Sequence, residues 1–234
     1  MKKILLIFIV GLIPSSAFAL IGFGVQGGSD LSKLGSYSYS GGSGATAFVI
    51  NTYEMESNPS GIGGYAFVDL FGFALETEAD FAWGEYEFDF TNQNLPEMNR
   101  SSFGWARASY AFTLKKNIMN ISIPFLAKAA INAGGGFGSH AATKRVNLQM
   151  VQSLLGDDLT TVNYDESTIE TLLVEFLEDP DNWEKASGMH LQAGVRFKIL
   201  VLDTHLNARY NLAKDIYTDK NGWLQLMFKM GFAI

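Results

Sequence analysis

Cysteine is absent from this 234-residue sequence, and long apolar segments are absent after residue 19. Without cysteine the chain has no disulfide, no cysteine-ligated metal site and no thiol nucleophile. No later segment reaches the about 18 uninterrupted apolar residues that a transmembrane helix needs. Basic residues number 17 against 24 acidic ones, and the net charge of -7 predicts that nucleic acid is not a partner.

The first nineteen residues have the pattern of an export signal. Met1-Lys2-Lys3 is basic, residues 4–13 are almost all apolar, and Ala17-Phe18-Ala19 is a small-x-small cleavage site. This pattern predicts a secretory signal peptide over 1–19, because the apolar run is too short to span a membrane. The alternative is a retained membrane anchor. The mature chain is expected to start at about residue 20.

The end of the chain alternates between two kinds of residue. Every second residue from Leu224 to Ile234 is large and apolar, whereas those between are mostly polar or small: Gln225, Met227, Lys229, Gly231 and Ala233. Side chains alternate across a β-strand, so this segment predicts one strand with an apolar and a polar face. Such a terminal strand fits a closed sheet that has lipid outside.

The same alternation recurs along the chain and predicts eight strands. They cover residues 20–28, 62–71, 73–90, 103–114, a segment that starts near 121, 188–201, 205–212 and 222–234. The connections alternate in length: the long ones are 29–61, 91–102, 143–187 and 215–221, and residues 115–120 form one of the short turns. We therefore predict an all-β, antiparallel eight-stranded transmembrane β-barrel over residues 20–234, with the long loops outside.

Two alternatives to this fold stay open at the sequence level. A soluble, lipocalin-like barrel would have to bury many charged residues away from water. Residues 45–53 lie inside the long loop 29–61 and could form a further strand or a short hairpin. A ninth spanning strand would place the two termini on opposite sides of the membrane.

The strand pattern and the final strand resemble small bacterial outer-membrane β-barrels of the OmpA/OmpX/OmpW-like class. The resemblance is architectural, covers the mature chain and implies a monomer in the cell outer membrane. It also implies that the barrel-assembly machinery recognises the last strand, through the apolar residues Phe228, Met230, Phe232 and Ile234. In that class the chain usually ends in an aromatic residue, whereas here it ends in Ile234.

Charged residues recur on the face opposite the apolar one. Three acids in one strand, Glu76, Glu78 and Asp80, cannot face lipid and must face the lumen. The predicted lumen network consists of these acids and six bases: Arg107, Lys128, Arg196, Lys198, Arg209 and Lys229. Since unpaired buried charges are costly, we predict paired charges that plug the barrel. The alternative is a gated ion path in which the surplus of bases favours anions.

The loop 143–187 differs from the other connections. Residues 146–155 and 167–178 carry apolar residues at helical spacing, which predicts a partly helical, acidic extracellular insertion. Function often concentrates on loops that a rigid scaffold carries. We therefore predict a structural or surface-interaction role, in which loops 29–61 and 143–187 meet an extracellular ligand. Outer-membrane lipid, including lipopolysaccharide, is the other expected partner.

Two further functions are weighed against this one. The first is an OmpW-like conduit for small apolar or ionic solutes. The second is a lipid-modifying enzyme that would use His140, beside Ser139, or His190 near the rim of the barrel. A lone Ser-His pair is weak evidence, so we predict no enzyme activity, no catalytic residue, no cofactor and no metal site.

Overall fold

The computed structural model describes residues 20–44, 47–92, 100–123, 126–148, 150, 179–218 and 220–234. Ten strands account for most of these residues. In chain order they are β1 Leu20–Asp30, β2 Tyr37–Gly41, β3 Phe48–Thr52, β4 Ser60–Leu70, β5 Phe73–Asn92, β6 Ser101–Ile123, β7 Ala127–Thr143, β8 Trp183–Ile199, β9 Leu202–Leu212 and β10 Trp223–Ala233. A short 3₁₀ helix, Pro180–Asn182, precedes β8.

Eight of these strands close into an antiparallel ring. The order around the ring is β1, β4, β5, β6, β7, β8, β9 and β10, and β10 pairs again with β1. The closing pair brings Gly22 opposite Ala233 and Asp30 opposite Gln225. A closed ring satisfies the backbone hydrogen bonds of every strand, which a sheet surrounded by lipid requires. The predicted eight-stranded, all-β barrel is confirmed.

The two remaining strands form a hairpin at one end of the barrel. β4 pairs with β5 only up to Trp83, and β3 then pairs with β5 between Phe88 and Asn92. β2 pairs with β3 and forms one edge of the sheet. Residues 48–52 are therefore not a ninth spanning strand. The predicted loop 29–61 is corrected, since it contains this hairpin.

Several strand ends differ from the sequence-based prediction. Residues 115–120 were expected in a turn but belong to β6, which runs to Ile123 with an irregular register between Asn117 and Met119. β7 accordingly begins at Ala127 and not near 121. β8 begins at Trp183, inside the predicted loop 143–187. Lys115 continues the buried, inward series of β6, whereas the residues from Ile118 to Ile123 are all exposed.

The two ends of the barrel differ. At the turn end, short connections join β4 to β5, β6 to β7 and β8 to β9, and the ring also begins and ends there. The β4–β5 turn has two consecutive positive φ angles, 53° at Phe71 and 82° at Gly72, which is the geometry of a tight hairpin. The loop end carries the hairpin β2–β3 and the longer connections.

The barrel is apolar outside and polar inside. Along β10, buried and exposed residues alternate without a break, and outward Phe228 and Phe232 are 49% and 56% exposed. The inward residues of the ring include most of the buried charged side chains. A second, apolar core lies above them at the loop end. The molecule thus has a charged core inside the ring and an apolar core on top.

Two sequence-based predictions fall outside the described residues: the signal peptide over 1–19, and most of the helical insertion, residues 151–178. At the described edge of that insertion, the Asn147 side chain accepts a hydrogen bond of 2.9 Å from the Met150 amide, as in a helix N-cap. None of the described helical segments has the length and apolar character that would let it cross a membrane.

Candidate functional site: the barrel lumen and its cover

The lower cluster of charges lies nearest the turn end. Arg196 donates to Asp203 from Nε, at 2.9 Å to Oδ1, and to Asp69 from Nη1, at 2.8 Å to Oδ2. Lys128 also contacts Asp69, with 3.0 Å between Nζ and Oδ2. Lys198 lies opposite Lys128 and Asp203 in the strand register, half-buried. This cluster ties β4, β7, β8 and β9 together.

The middle cluster crosses the lumen. Glu76 on β5 accepts from Lys115 at 2.6 Å and from Lys229 at 2.9 Å. Glu78, two residues further along β5, contacts both Lys229 and Arg209. Glu76 and Lys229 are each 0% exposed, so water does not screen these pairs. Strands β5 and β10 are not neighbours in the ring, and the cluster therefore bridges opposite walls.

The upper cluster lies nearest the loop end. Arg107 on β6 donates to Asp30 at 2.9 Å from Nε and contacts Asp80 at 2.8 Å from Nη2. Its guanidinium also donates to Ser109. The Tyr217 hydroxyl donates to Asp30 at 2.7 Å. One arginine thus holds two carboxylates from two other strands, with a phenol from the connection between β9 and β10.

All nine residues of the predicted lumen network point into the barrel, and eight of them form ion pairs with distances of 4.0 Å or less. Within the described residues, no such pair is formed by Lys198. Four charged lumen residues were missed by the sequence reasoning: Asp30, Asp69, Lys115 and Asp203. With them, the lumen contains six of these acidic residues and seven of these basic residues. The expected surplus of three bases thus falls to one.

An apolar cover closes the lumen above the upper cluster. Trp105 and Trp223 point inward from β6 and β10, and the Tyr217 ring lies 4.9 Å and 5.7 Å from their ring centroids. The cover also contains buried residues from β3, β5, β6 and the loops: Leu34, Phe48, Ile50, Met55, Tyr86, Phe88, Phe90, Phe103, Val146 and Ile216. Large rings packed in this way exclude water from the mouth of the barrel.

A buried phenol ties the loop after β7 to this cover. The Tyr86 hydroxyl accepts a hydrogen bond of 2.9 Å from the Val146 amide. Burial raises the pKa of Tyr86, so the phenol stays neutral. The segment that leads into the 143–187 insertion is therefore fixed to the barrel rim by a satisfied buried group.

The lumen contains little free space where the upper cluster meets β1. A cavity of about 10 Å³ is lined by Gln26, Asp30, Asp80 and Gln225. That volume accommodates about one water molecule. At this level the barrel interior is filled by side chains, as expected for a ring of eight strands.

The histidines proposed for catalysis lie inside the barrel and not on its rim. His140 Nδ1 lies 2.8 Å from Ser109 Oγ, and His190 Nε2 lies 2.9 Å from Thr113 Oγ1. Ser139, the expected partner of His140, points to the outer wall, because neighbouring residues of a strand face opposite sides. The alternative in which His140 and Ser139 act together at the rim is therefore not supported by the structure. Among the described residues no group of three or more His, Asp or Glu side chains could hold a metal ion.

The outer wall shows where lipid begins and ends. On β5 the outward residues are apolar or small up to Trp83, except for Thr77, and turn acidic beyond it at Glu85, Glu87 and Asp89. On β8 they are apolar from Met189 to Ile199, a length that matches the about 9–11 residues of a membrane-spanning strand. A closed ring with this apolar band defines the class: the chain is a transmembrane β-barrel of the outer membrane.

Comparison with known proteins gives fold-level similarity. Neither a protein-family model nor a curated protein sequence matches the chain. Ail, the attachment invasion locus protein of Yersinia pestis, solved with the heparin analogue sucrose octasulfate, aligns over 92% of this chain and 99% of its own, with 10% identity and a TM-score of 0.41.

Two further solved structures align over similar lengths. The outer membrane protein OprG from Pseudomonas aeruginosa aligns over 92% of this chain and 95% of its own, with 9% identity and a TM-score of 0.47. The β domain of the Bordetella autotransporter BrkA aligns over 91% of this chain and 98% of its own, with 9% identity and a TM-score of 0.28. The assignment to the class follows from the closed ring and its two faces, as described above.

Proposed function

We propose that this protein is a plugged outer-membrane barrel whose task is to hold an extracellular crown at the cell surface. The crown comprises the hairpin β2–β3, the loop-end extensions of β5 and β6, and the connections after β7 and β9. The observation that carries the proposal is the stack of three charge clusters beneath an apolar cover.

The charge clusters argue against an open path. A solute or ion would have to displace side chains such as Arg107 and Glu76, both 0% exposed, from partners on other strands. Separating a buried pair leaves an uncompensated charge and costs about 3–5 kcal/mol. Three successive clusters would have to open together, which supports a plug and not a pore.

The crown supports a role in surface interaction. Tyr37 and Tyr39 on the edge strand β2 are 46% and 42% exposed. Beside them, a groove of about 310 Å³ includes Tyr37, Lys144, Arg145 and Glu184 among its lining residues. Exposed aromatic rings beside charged side chains suit an extracellular ligand. The rigid ring beneath them would fix the geometry of this surface.

The last strand supports the proposed assembly signal. Phe228, Met230 and Phe232 form an unbroken outward apolar row on β10, and exposed Ile234 follows that strand. β10 is also the strand that closes the ring on β1. We propose that the assembly machinery reads this row before closure.

Single-channel recording of the refolded barrel in a planar bilayer tests the plug. The expected result is a silent bilayer, with insertion checked by the heat-modifiable gel mobility of folded barrels. Steady openings that change when Arg107 or Arg209 is neutralised would reject the plug and favour the conduit. The same recording on Arg100→Met, an exposed arginine outside the lumen, provides the matched control.

A further inference from the structure

A groove crosses the outer wall where the apolar band ends at the loop end. Its floor holds two small residues, Ser139 and Ser187, which are opposite each other on β7 and β8. Its walls are larger apolar side chains of β6, β7 and β8: Tyr110, Phe112, Phe137 and Met189. The groove has a volume of about 450 Å³, within the about 300–1,000 Å³ of small-molecule sites.

The position of the groove determines what fills it. Below Ser187, the outward residues of β8 are apolar from Met189 to the turn end, so the groove opens into the hydrocarbon layer. Above Ser187, the next outward residue of β8 is Lys185, 61% exposed in its side chain. The groove therefore lies at the border between acyl chains and headgroups in the leaflet on the loop side.

Two lysines stand at the headgroup level of this groove. Lys185 is 4.0 Å from Asp181, and an exposed pair of this kind is weak. Lys214 is exposed and follows β9, whose last pair with β8 is Leu212 opposite Met189. A Cβ built on Gly188 would lie 2.9 Å from Ala213 Cβ, so the segments that follow the Met189–Leu212 pair stay adjacent. Continuing this register by two residues places Lys214 opposite Ser187.

We infer that this groove is a fixed binding site for one phosphate-bearing lipid of the outer leaflet, a lipopolysaccharide. An acyl chain lies over Ser139 and Ser187 between the aromatic and methionine walls. The two serine hydroxyls face the ester and amide carbonyls where the acyl chains begin. A headgroup phosphate lies between Lys185 and Lys214, whose charges complement it.

The opposite wall provides an internal comparison. A second groove of about 570 Å³ lies over β1, β4 and β10, lined by Val25, Gln26, Gly27, Ile62, Gly63, Phe228 and Met230. None of these lining residues is basic. Acyl chains can fill it, but it lies lower on the wall, at the level of the Val25–Met230 and Gly27–Phe228 pairs, with the outward apolar residues Leu226 and Leu224 between it and the headgroups. Lipid that binds by shape alone would prefer this larger groove, whereas phosphate recognition would select the groove over β6–β8.

The test is native mass spectrometry of the refolded barrel with bis-phosphorylated lipid A as the probe. The wild-type barrel should retain one lipid A. Ser187→Leu fills the groove and should abolish retention. The double variant Lys185→Ala/Lys214→Ala should weaken binding about 30-fold, because one lysine near an anionic headgroup contributes about fivefold. Both lysines are exposed, so this variant also tests the site if the leucine variant does not fold.

Two matched variants serve as controls. Gly27→Leu fills the second groove, where the nearest atom to a built Cβ is 3.8 Å away. Lys116→Ala removes an exposed lysine near the turn end, where its Nζ lies 5.5 Å from the Phe73 ring. Both should keep wild-type affinity for lipid A. Unchanged retention in the lysine variant or in a folded leucine variant, equal loss in Gly27→Leu, or equally tight retention of phosphatidylethanolamine would overturn the inference.

Discussion

Replacing Arg107 by methionine isolates what the upper cluster contributes. The change keeps a long side chain but removes the cation that lies between Asp30 and Asp80. Two carboxylates then face each other beneath the apolar cover, without the base that compensated them. Breaking a buried ion pair by removing one partner costs about 3–5 kcal/mol. The equilibrium ratio of folded to unfolded protein should therefore fall about 150- to 5,000-fold.

Urea unfolding of the barrel in lipid vesicles measures this loss. Tryptophan emission reports on the site directly, because the Arg107 guanidinium lies 5.6 Å from the centroid of the Trp223 ring. The urea midpoint should fall while the slope stays unchanged, since the variant exposes the same surface on unfolding. The difference between the two extrapolated free energies of unfolding gives the contribution of Arg107.

Two further variants decide whether charge is the cause. Arg100→Met removes an exposed arginine, 3.5 Å from Glu87, and should cost at most about 1 kcal/mol. Combining Arg107→Met with Asp30→Asn and Asp80→Asn also removes the two carboxylates that would lack a base, and should restore most of the stability. A loss below about 1 kcal/mol in Arg107→Met, or no recovery in the triple variant, would refute the reasoning.

Three other predictions follow from the same structure. Tyr217→Phe removes the hydroxyl that donates to Asp30, so urea unfolding should show a loss of about 1 kcal/mol. Phe228→Lys places a charge on the lipid face near the middle of β10 and should cost about 2–4 kcal/mol, seen as less folded barrel in membrane fractions. Because the chain lacks cysteine, Tyr39→Cys should react with an impermeant maleimide on intact cells, whereas Phe71→Cys at the turn end should react only after permeabilisation; the reverse pattern would invert the topology.

In a regularly alternating strand such as β10, the face to which each residue points was predictable from alternation alone. In β10 the apolar residues from Leu224 to Phe232 all point outward, and those between them point inward. The period of two is a local property of an extended chain, so it can be recognised in one segment without knowing which strands lie beside it. The closure of eight strands followed from the same pattern, together with the alternation of long and short connections.

The partners inside the lumen were not predictable in this way. Asp30 and Lys115 were assigned to connections, although each continues the inward series of its strand, Gly28 to Asp30 and Thr113 to Lys115. Extending the period of two past the turn signals would have found both. Which acid meets which base depends on tilt and register around the ring, and one sequence does not contain that information.

The hairpin β2–β3 shows a second limit. Its strands are only five residues long, and they pair beyond the membrane with an extension of β5. Length and alternation cannot separate such a hairpin from a poor spanning strand. The two cases are distinguished by the point on β5 at which its pairing with β4 ends. That pairing ends at Trp83, and β3 pairs with β5 from Phe88 onward.

The charged core also explains why the ring adopts one register. Arg196 meets Asp69 across 127 residues of sequence, and Lys229 meets Glu76 across 153, so these pairs tie walls that share no backbone hydrogen bonds. A slip of one residue in β5 would turn Glu76 and Glu78 toward lipid, and the bases that they pair with would be left unpaired inside the lumen. Each base left without a partner there would cost several kcal/mol. The lumen charges therefore penalise misregistered barrels more than they stabilise the correct one, a specificity that an apolar interior could not supply.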